Sequence, residues 1–231
     1  MGDLALKIVE YIPFILMVFI SLPIHELSHA FIAYKLGDDT AYYQGRLTLN
    51  PFAHLDLLGT ISMVLFGYGW AKPVPVNPVR FRGNMRRGMA LCALAGPVSN
   101  LILGFVFIVL LKLSNMLGGA TGNEFFYFLG WVFGVMFSTN IGLAFFNLLP
   151  IPPLDGSRVL NYFLPYKAQR FFDNLERYSS YIILGVFLIN EFTGIWSSII
   201  NTVAYPFIWL FDKATFFLGD AWYYTLEYFL Y

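Results

Sequence analysis

The chain alternates between long apolar blocks and short polar punctuation. Residues 8–24, 89–111 and 125–149 are runs in which the rare polar residues are mostly small. Such runs match the roughly 20 residues a helix needs to cross the hydrocarbon core of a bilayer. The first helix is expected over residues 4–36, bent by Pro13 and Pro23 and ended at Gly37. Residues 178–190 and 195–210 predict a further helical pair joined by 191–194. The aromatic, partly amphipathic residues 212–231 are expected to lie along the interface or to extend the last helix.

The region between the first helix and the one beginning at Met89 is less regular. Residues 42–49 have the aromatic and β-branched content of a short hairpin or edge structure, interrupted at Gly45-Arg46 and stopped by Asn50-Pro51. Residues 57–70, with Gly59, Gly67 and Gly69, suit a re-entrant or tilted helix. Lys72-Pro73-Val74-Pro75-Val76-Asn77-Pro78 is too rich in proline for a helix and predicts an extended segment. A basic turn with Arg80, Arg82, Arg86 and Arg87 follows. Residues 116–123 predict a glycine-rich loop, and Pro150 stops the helix before it. The implied fold class is an all-α polytopic membrane protein with a small β-strand or hairpin region ahead of the Met89 helix. Without repeats or low-complexity tracts, residues 1–231 are expected to form a single integral membrane domain.

Composition agrees with lipid as the solvent, since 58% of residues are hydrophobic and only 12% are charged. The Tyr and Trp rings can anchor helix ends at the headgroup level. A net charge of +0 removes the electrostatic case for nucleic acid. Cys92, the single cysteine, excludes an intrachain disulfide. A charged cluster follows the first apolar run where a cleaved signal peptide would finish, so that run is expected to stay in the working protein. Basic residues gather at Arg46, Lys72, Arg80, Arg82, Arg86 and Arg87, and again at Arg158, Lys167, Arg170 and Arg177. The positive-inside tendency places both clusters in the cytoplasm and starts the amino terminus outside the cell membrane. The carboxyl ends of the helices carrying His25 to His29 and Asn147 then face the same side.

His25-Glu26-Leu27-Ser28-His29 sets two imidazoles at i and i+4, the spacing that lets both coordinate one zinc from a single helix face. Glu26 beside them could take a proton from water at the metal and return it to a leaving amine. Such polar residues within an apolar segment need a compensating metal and internal cavity. A hydrolytic zinc normally takes three protein ligands. Asp155 is the best third candidate: prolines unwind the preceding helix end, and Gly156 permits a tight backbone approach. An Asp-Gly turn at the membrane surface is the plainer alternative. Asn147 could orient a substrate backbone or donate to a developing oxyanion, or it could pack helices together. His54 could be an extra ligand, a proton carrier, or a structural partner of Asp56. The small residues around Gly96 permit close helix approach, with Asn100 bonding across helices to buttress the metal helix without touching zinc.

Together these elements resemble the site-2 protease family of intramembrane zinc metalloproteases, peptidase family M50. His25-Glu26-Leu27-Ser28-His29 is similar to its metal helix, and Asn147 to Pro150 followed by Pro153-Leu154-Asp155-Gly156 to its second motif. Gly96-Pro97 with Asn100 looks like the signature between them. Gly45-Arg46-Leu47-Thr48-Leu49-Asn50-Pro51 with His54 and Asp56, and Ala71-Lys72-Pro73-Val74-Pro75-Val76-Asn77-Pro78, are similar to the compact prokaryotic branch without PDZ or CBS domains. The resemblance covers about residues 8–158 and leaves 178–231 as accessory helices. It implies one Zn2+ ion, a substrate with a locally unwound transmembrane helix, and an extended substrate pairing near residues 42–50. The rival classes are a metal-binding scaffold without proteolytic activity and a transporter of ions or small solutes. A scaffold has no need of Glu26, and a transporter would keep its flux without it.

Overall fold

The computed structural model describes residues 11–57, 59–61 and 71–219. Most of the expected re-entrant segment, residues 62–70, and the carboxyl-terminal stretch from 220 onward lie outside the described residues, as do residues 1–10. Three described helices are long and apolar enough to cross a membrane, as in a multi-pass membrane protein: α1 (Tyr11–Lys35), α2 (Met85–Thr121) and α3 (Glu124–Asn147). Four more follow: α4 (Asp155–Phe163), α5 (Tyr166–Glu176), α6 (Ser179–Thr193) and α7 (Ile195–Ala214).

The helices differ from the expected bounds where local chemistry permits. In α1 a π-helical stretch, Met17–Ser21, directly precedes Pro23. Pro23 lacks the N–H that a regular turn would require, and a widened turn absorbs that loss. Helix α2 runs for 37 residues straight through Pro97. The loop expected over 116–123 is therefore mostly helix, and the reversal is made by Gly122, at φ +65°, and Asn123. Gly194, at φ +62°, separates α6 from α7.

The expected hairpin is absent from the described residues, and the fold is helical throughout apart from one isolated antiparallel bridge, Leu55 to Ala71. Thr40–Tyr43 is a helical turn instead. Asp38 starts it by accepting from the Thr40 N–H (3.0 Å). Gly45 ends it in the left-handed region at φ +66°. The tyrosines that suggested a strand meet edge to face, Tyr42 against Tyr43, and Tyr42 also lies at a tilt against Tyr34 of α1. Asn50 then caps the short turn Pro51–Ala53 through the Phe52 N–H (3.1 Å). Side-chain capping thus satisfies backbone groups that a ladder would otherwise have paired. Residues 72–77 are non-helical, as their prolines require.

Two compact units divide these elements. One comprises Val18–Ser99 and Asn147–Gly185. Its small core joins Ala30, Ala41 and Val74, and beside them Ala33, Phe81 and Cys92 pack together. In this unit Arg86 Nη2 donates to the Leu164 carbonyl (2.6 Å), and Gln169 Nε2 to the Asn161 carbonyl (2.7 Å), fixing the α4–α5 corner. The other unit comprises Met1–Met17, Asn100–Phe146 and Val186–Tyr231. Its described part buries Phe137, Ile108, Leu111, Met136 and Ile141. It also buries an ion pair, Lys112 Nζ to Asp212 Oδ1 at 2.7 Å.

Candidate metal centre

All three expected ligands lie in the same unit and converge. Helix α1 places His25 and His29 one turn apart, both buried. Asp155 is the first residue of α4, after the chain turns through Pro150, Pro152 and Pro153. Gly156 explains how it comes close: a Cβ there would sit 2.1 Å from the Leu148 carbonyl oxygen and 2.5 Å from that of Leu149. Only glycine lets the start of α4 fold back onto the backbone that follows α3.

The two imidazole Nε2 atoms are 3.1 Å apart. Asp155 Oδ2 lies 3.4 Å from that of His25 and 3.3 Å from that of His29. A tetrahedral zinc with bonds of about 2.0–2.1 Å would set its ligand atoms roughly 3.3–3.4 Å apart. The spacing fits such an ion, and the donor set of two neutral imidazoles and one carboxylate suits it as well. His29 Nδ1–H donates to the Cys92 carbonyl (2.7 Å), which leaves Nε2 with its lone pair toward the ligand cluster. The Cys92 thiol donates back to the His29 carbonyl (3.3 Å), so α1 and α2 are stitched together at the ligand itself. Burial by itself would raise the Asp155 carboxyl. With no metal bound, protonation of the two imidazoles makes them donors and positive charges that outweigh it and hold the group well below the usual carboxylate range.

Gly96 is closer to this centre than its expected buttressing role implied. A Cβ on it would lie 2.5 Å from His29 Nε2 and 2.6 Å from His25 Nε2. The glycine thus forms one wall of the space between the imidazoles. Ser99 Oγ–H donates to the Gly96 carbonyl (2.7 Å) just beyond it.

The remaining expected residues fall at different places. Glu26 is half-buried, and its Oε2 accepts from the Val74 N–H (3.1 Å). Asn147 is the last residue of α3, half-buried, in the same unit as the ligands. His54 is buried and donates from Nε2 to the Thr48 carbonyl (2.8 Å), outside the ligand cluster. Asp56 caps the next turn by accepting from the Gly59 N–H (2.8 Å). Asn100 is fully buried in α2 and belongs to the other unit. Sequence reasoning missed Arg46 and Asp38 here, both buried polar residues that hold the segment lying against Glu26.

Two helical histidines a turn apart, a glutamate between them and a carboxylate from a second element form an H-E-x-x-H cluster that could hold a metal ion, in a protein of membrane-length helices. The model of peptidase family M50 matches residues 112–189. YwhC of Bacillus subtilis, designated a candidate zinc metalloprotease, is 43% identical over 174 residues, which cover 75% of this chain and 79% of YwhC. MJ0611 of Methanocaldococcus jannaschii, with the same designation, is 33% identical over 141 residues, 60% of this chain and 63% of its own. Rip2 of Mycobacterium tuberculosis, also so designated, is 30% identical over 200 residues, 84% of this chain and 70% of Rip2. No solved structure matches the chain. The chain belongs to peptidase family M50, the site-2 protease family.

Proposed function

We propose that this protein is a zinc-dependent endopeptidase that hydrolyses peptide bonds in or near the transmembrane segments of other membrane proteins, within the lipid bilayer. The observation that carries the reading is the convergence of His25, His29 and Asp155 at 3.1–3.4 Å, with Glu26 next in the chain to the first ligand. His25 Nε2, His29 Nε2 and Asp155 Oδ2 would hold one zinc ion. When bound, zinc supplies Lewis-acid polarisation of the scissile carbonyl and makes water a better nucleophile at neutral pH.

The chain's own residues supply the rest. Glu26 takes a proton from the attacking water on Oε1, its Oε2 being occupied by Val74, and returns it to the leaving amine nitrogen. The Asn147 amide orients the substrate backbone or donates to its developing oxyanion. A substrate helix must unwind before its carbonyl is accessible, because a helical carbonyl is already hydrogen-bonded. His54 supports the loop through Thr48, and Asn100 serves helix packing. Residues 1–231 act as one membrane domain, with the catalytic core over about 8–158 and accessory helices over about 178–231. The positive-inside tendency of the basic clusters supports a site facing the cytoplasm and an amino terminus outside.

The test is cleavage of a model transmembrane substrate by the purified protein in proteoliposomes, with bound zinc measured for wild type and Glu26→Gln. Expected are about one zinc per chain in both, cleavage by wild type and none by the variant. Equal zinc with no cleavage of a varied panel by either protein supports a scaffold. Ion flux that survives Glu26→Gln supports a transporter.

A further inference from the structure

The strap at residues 71–77 lies against Glu26 and is fastened along its length. Pro73 and Pro75 have no N–H to offer, so few backbone donors remain. Lys72 donates to the His54 carbonyl (2.8 Å), Asn77 to Asp38 Oδ2 (2.6 Å), and Val74 to Glu26 Oε2 (3.1 Å). Asp38 is itself fully buried at the start of the Thr40–Tyr43 turn. The end of that turn carries Arg46, whose N–H donates to the Ala41 carbonyl (2.8 Å).

Arg46 is buried, and its Nη2 donates to the carbonyls of Lys72 and of Pro73, the second at 3.3 Å. The Pro73 carbonyl and the Val74 N–H belong to one planar peptide unit. Arg46 therefore grips the oxygen end of the peptide whose hydrogen end holds Glu26. A cation on the carbonyl also polarises the peptide and strengthens its N–H as a donor. Burial lowers the Arg46 pKa from its ordinary value, and the Glu26 charge opposes that shift.

We propose that Arg46 is the positioning residue of the catalytic base, fixing the Glu26 carboxylate through the Pro73–Val74 peptide. The inference rests on the reading of Glu26 as the base and deepens it. Glu26 follows His25 by one residue on α1 and so leaves the helix about 100° around from it. A tether on Oε2 keeps the side chain in one rotamer with Oε1 available to water. Arg46 suits the task because its buried Nη2 alone reaches two successive carbonyls of the strap.

Two variants test this in proteoliposomes, with kcat, KM as substrate mole fraction, zinc content and thermal stability measured for each. Arg46→Gln removes the cation. Replacing Val74 by its α-hydroxy acid converts the amide N–H to an ester oxygen and keeps the side chain. Each is expected to lower kcat by about 10- to 100-fold, the scale of a misplaced catalytic group. KM is expected to stay within about two-fold, with zinc still bound. Arg46→Lys is expected to recover part of the loss. The two changes combined are expected to cost little more than either alone, because they break one relay.

Wild-type kcat in either variant overturns the inference, as does a loss that follows zinc or KM, or two losses that multiply. If Arg46→Gln does not fold, the ester variant decides alone. Glu26→Gln run alongside separates the two levels. Cleavage by Glu26→Gln would sink the assignment of the base itself. Silence from it, with wild-type kcat in the other two, sinks only the role of Arg46.

Discussion

Gly96 is the residue whose contribution is most sharply defined by what it lacks. Its place in α2 puts the absent side chain between the two imidazoles, 2.5–2.6 Å from their Nε2 atoms. Gly96→Ala should favour the helix by up to about 1 kcal/mol, since alanine is the better helix former. The same methyl should block the ligand space, and we expect at least about a ten-fold loss of zinc affinity, equivalent to roughly 1.4 kcal/mol. Competition with a chromophoric chelator measures the affinity, and the thermal stability of the metal-free protein measures the helix. Loss of zinc without loss of metal-free stability is the expected pair. Unchanged affinity would show that the helices separate easily enough to accommodate a Cβ. The sequence made Gly96 visible as a small residue permitting close approach. That reading pointed to the metal helix as the neighbour but not to the imidazoles themselves, because two imidazoles and a glycine about 70 positions apart meet only once α1 and α2 are packed.

Elements were legible where a strong local rule applied. The i, i+4 histidines required a helix, and α1 provides one. The prolines of residues 72–78 excluded a helix, and none forms over 72–77. Residues 42–49 were misread because aromatic content is only a weak strand signal. Asp38, Gly45 and Asn50 impose turns locally, and among the described residues no ladder forms over 42–49. The turn at Asp155-Gly156 was legible for a physical reason: a glycine after a carboxylate implies a close backbone approach, and Gly156 lies against the Leu148 and Leu149 carbonyls. This contact is with backbone, so it has little freedom to yield. Gly156→Ala is expected to destabilise the protein by about 1–3 kcal/mol, the range of an overpacked core position. It should also draw Asp155 away from the histidines, so that zinc is lost at denaturant concentrations where α1 remains helical. Following zinc release and helicity through one unfolding titration checks this, and coincident loss of both would count against it.

At the scale of the whole molecule, the apolar composition foretold the solvent of the helices but concealed an ion pair inside them. The apolar run 89–111 stops just short of Lys112, and a charge ordinarily closes a membrane segment. Asp212 opens the stretch expected either to lie along the interface or to extend the last helix. In the structure α2 continues to Thr121, and Lys112 and Asp212 are buried together at 2.7 Å within one unit. Lys112 Nζ also donates to the carbonyls of Asp212 (3.0 Å) and Thr215 (3.4 Å), so the end of α7 is fastened to α2. No local pattern could report this pairing, since its members stand 100 positions apart. Removing one partner leaves the other charge buried without compensation, which costs roughly 3–5 kcal/mol. Lys112→Met and Asp212→Leu, each alone, are expected to destabilise the protein by that order in detergent unfolding measurements. Combined, they replace two desolvated ions by apolar surface of similar size, and the double variant should return to within about 1 kcal/mol of wild type or exceed it. If the double variant instead suffers the sum of the two losses, the pair acts through its separate contacts with the chain and not as an ion pair. Cleavage by the double variant should match wild type, because neither residue belongs to the unit that contains His25, His29, Glu26 and Asp155.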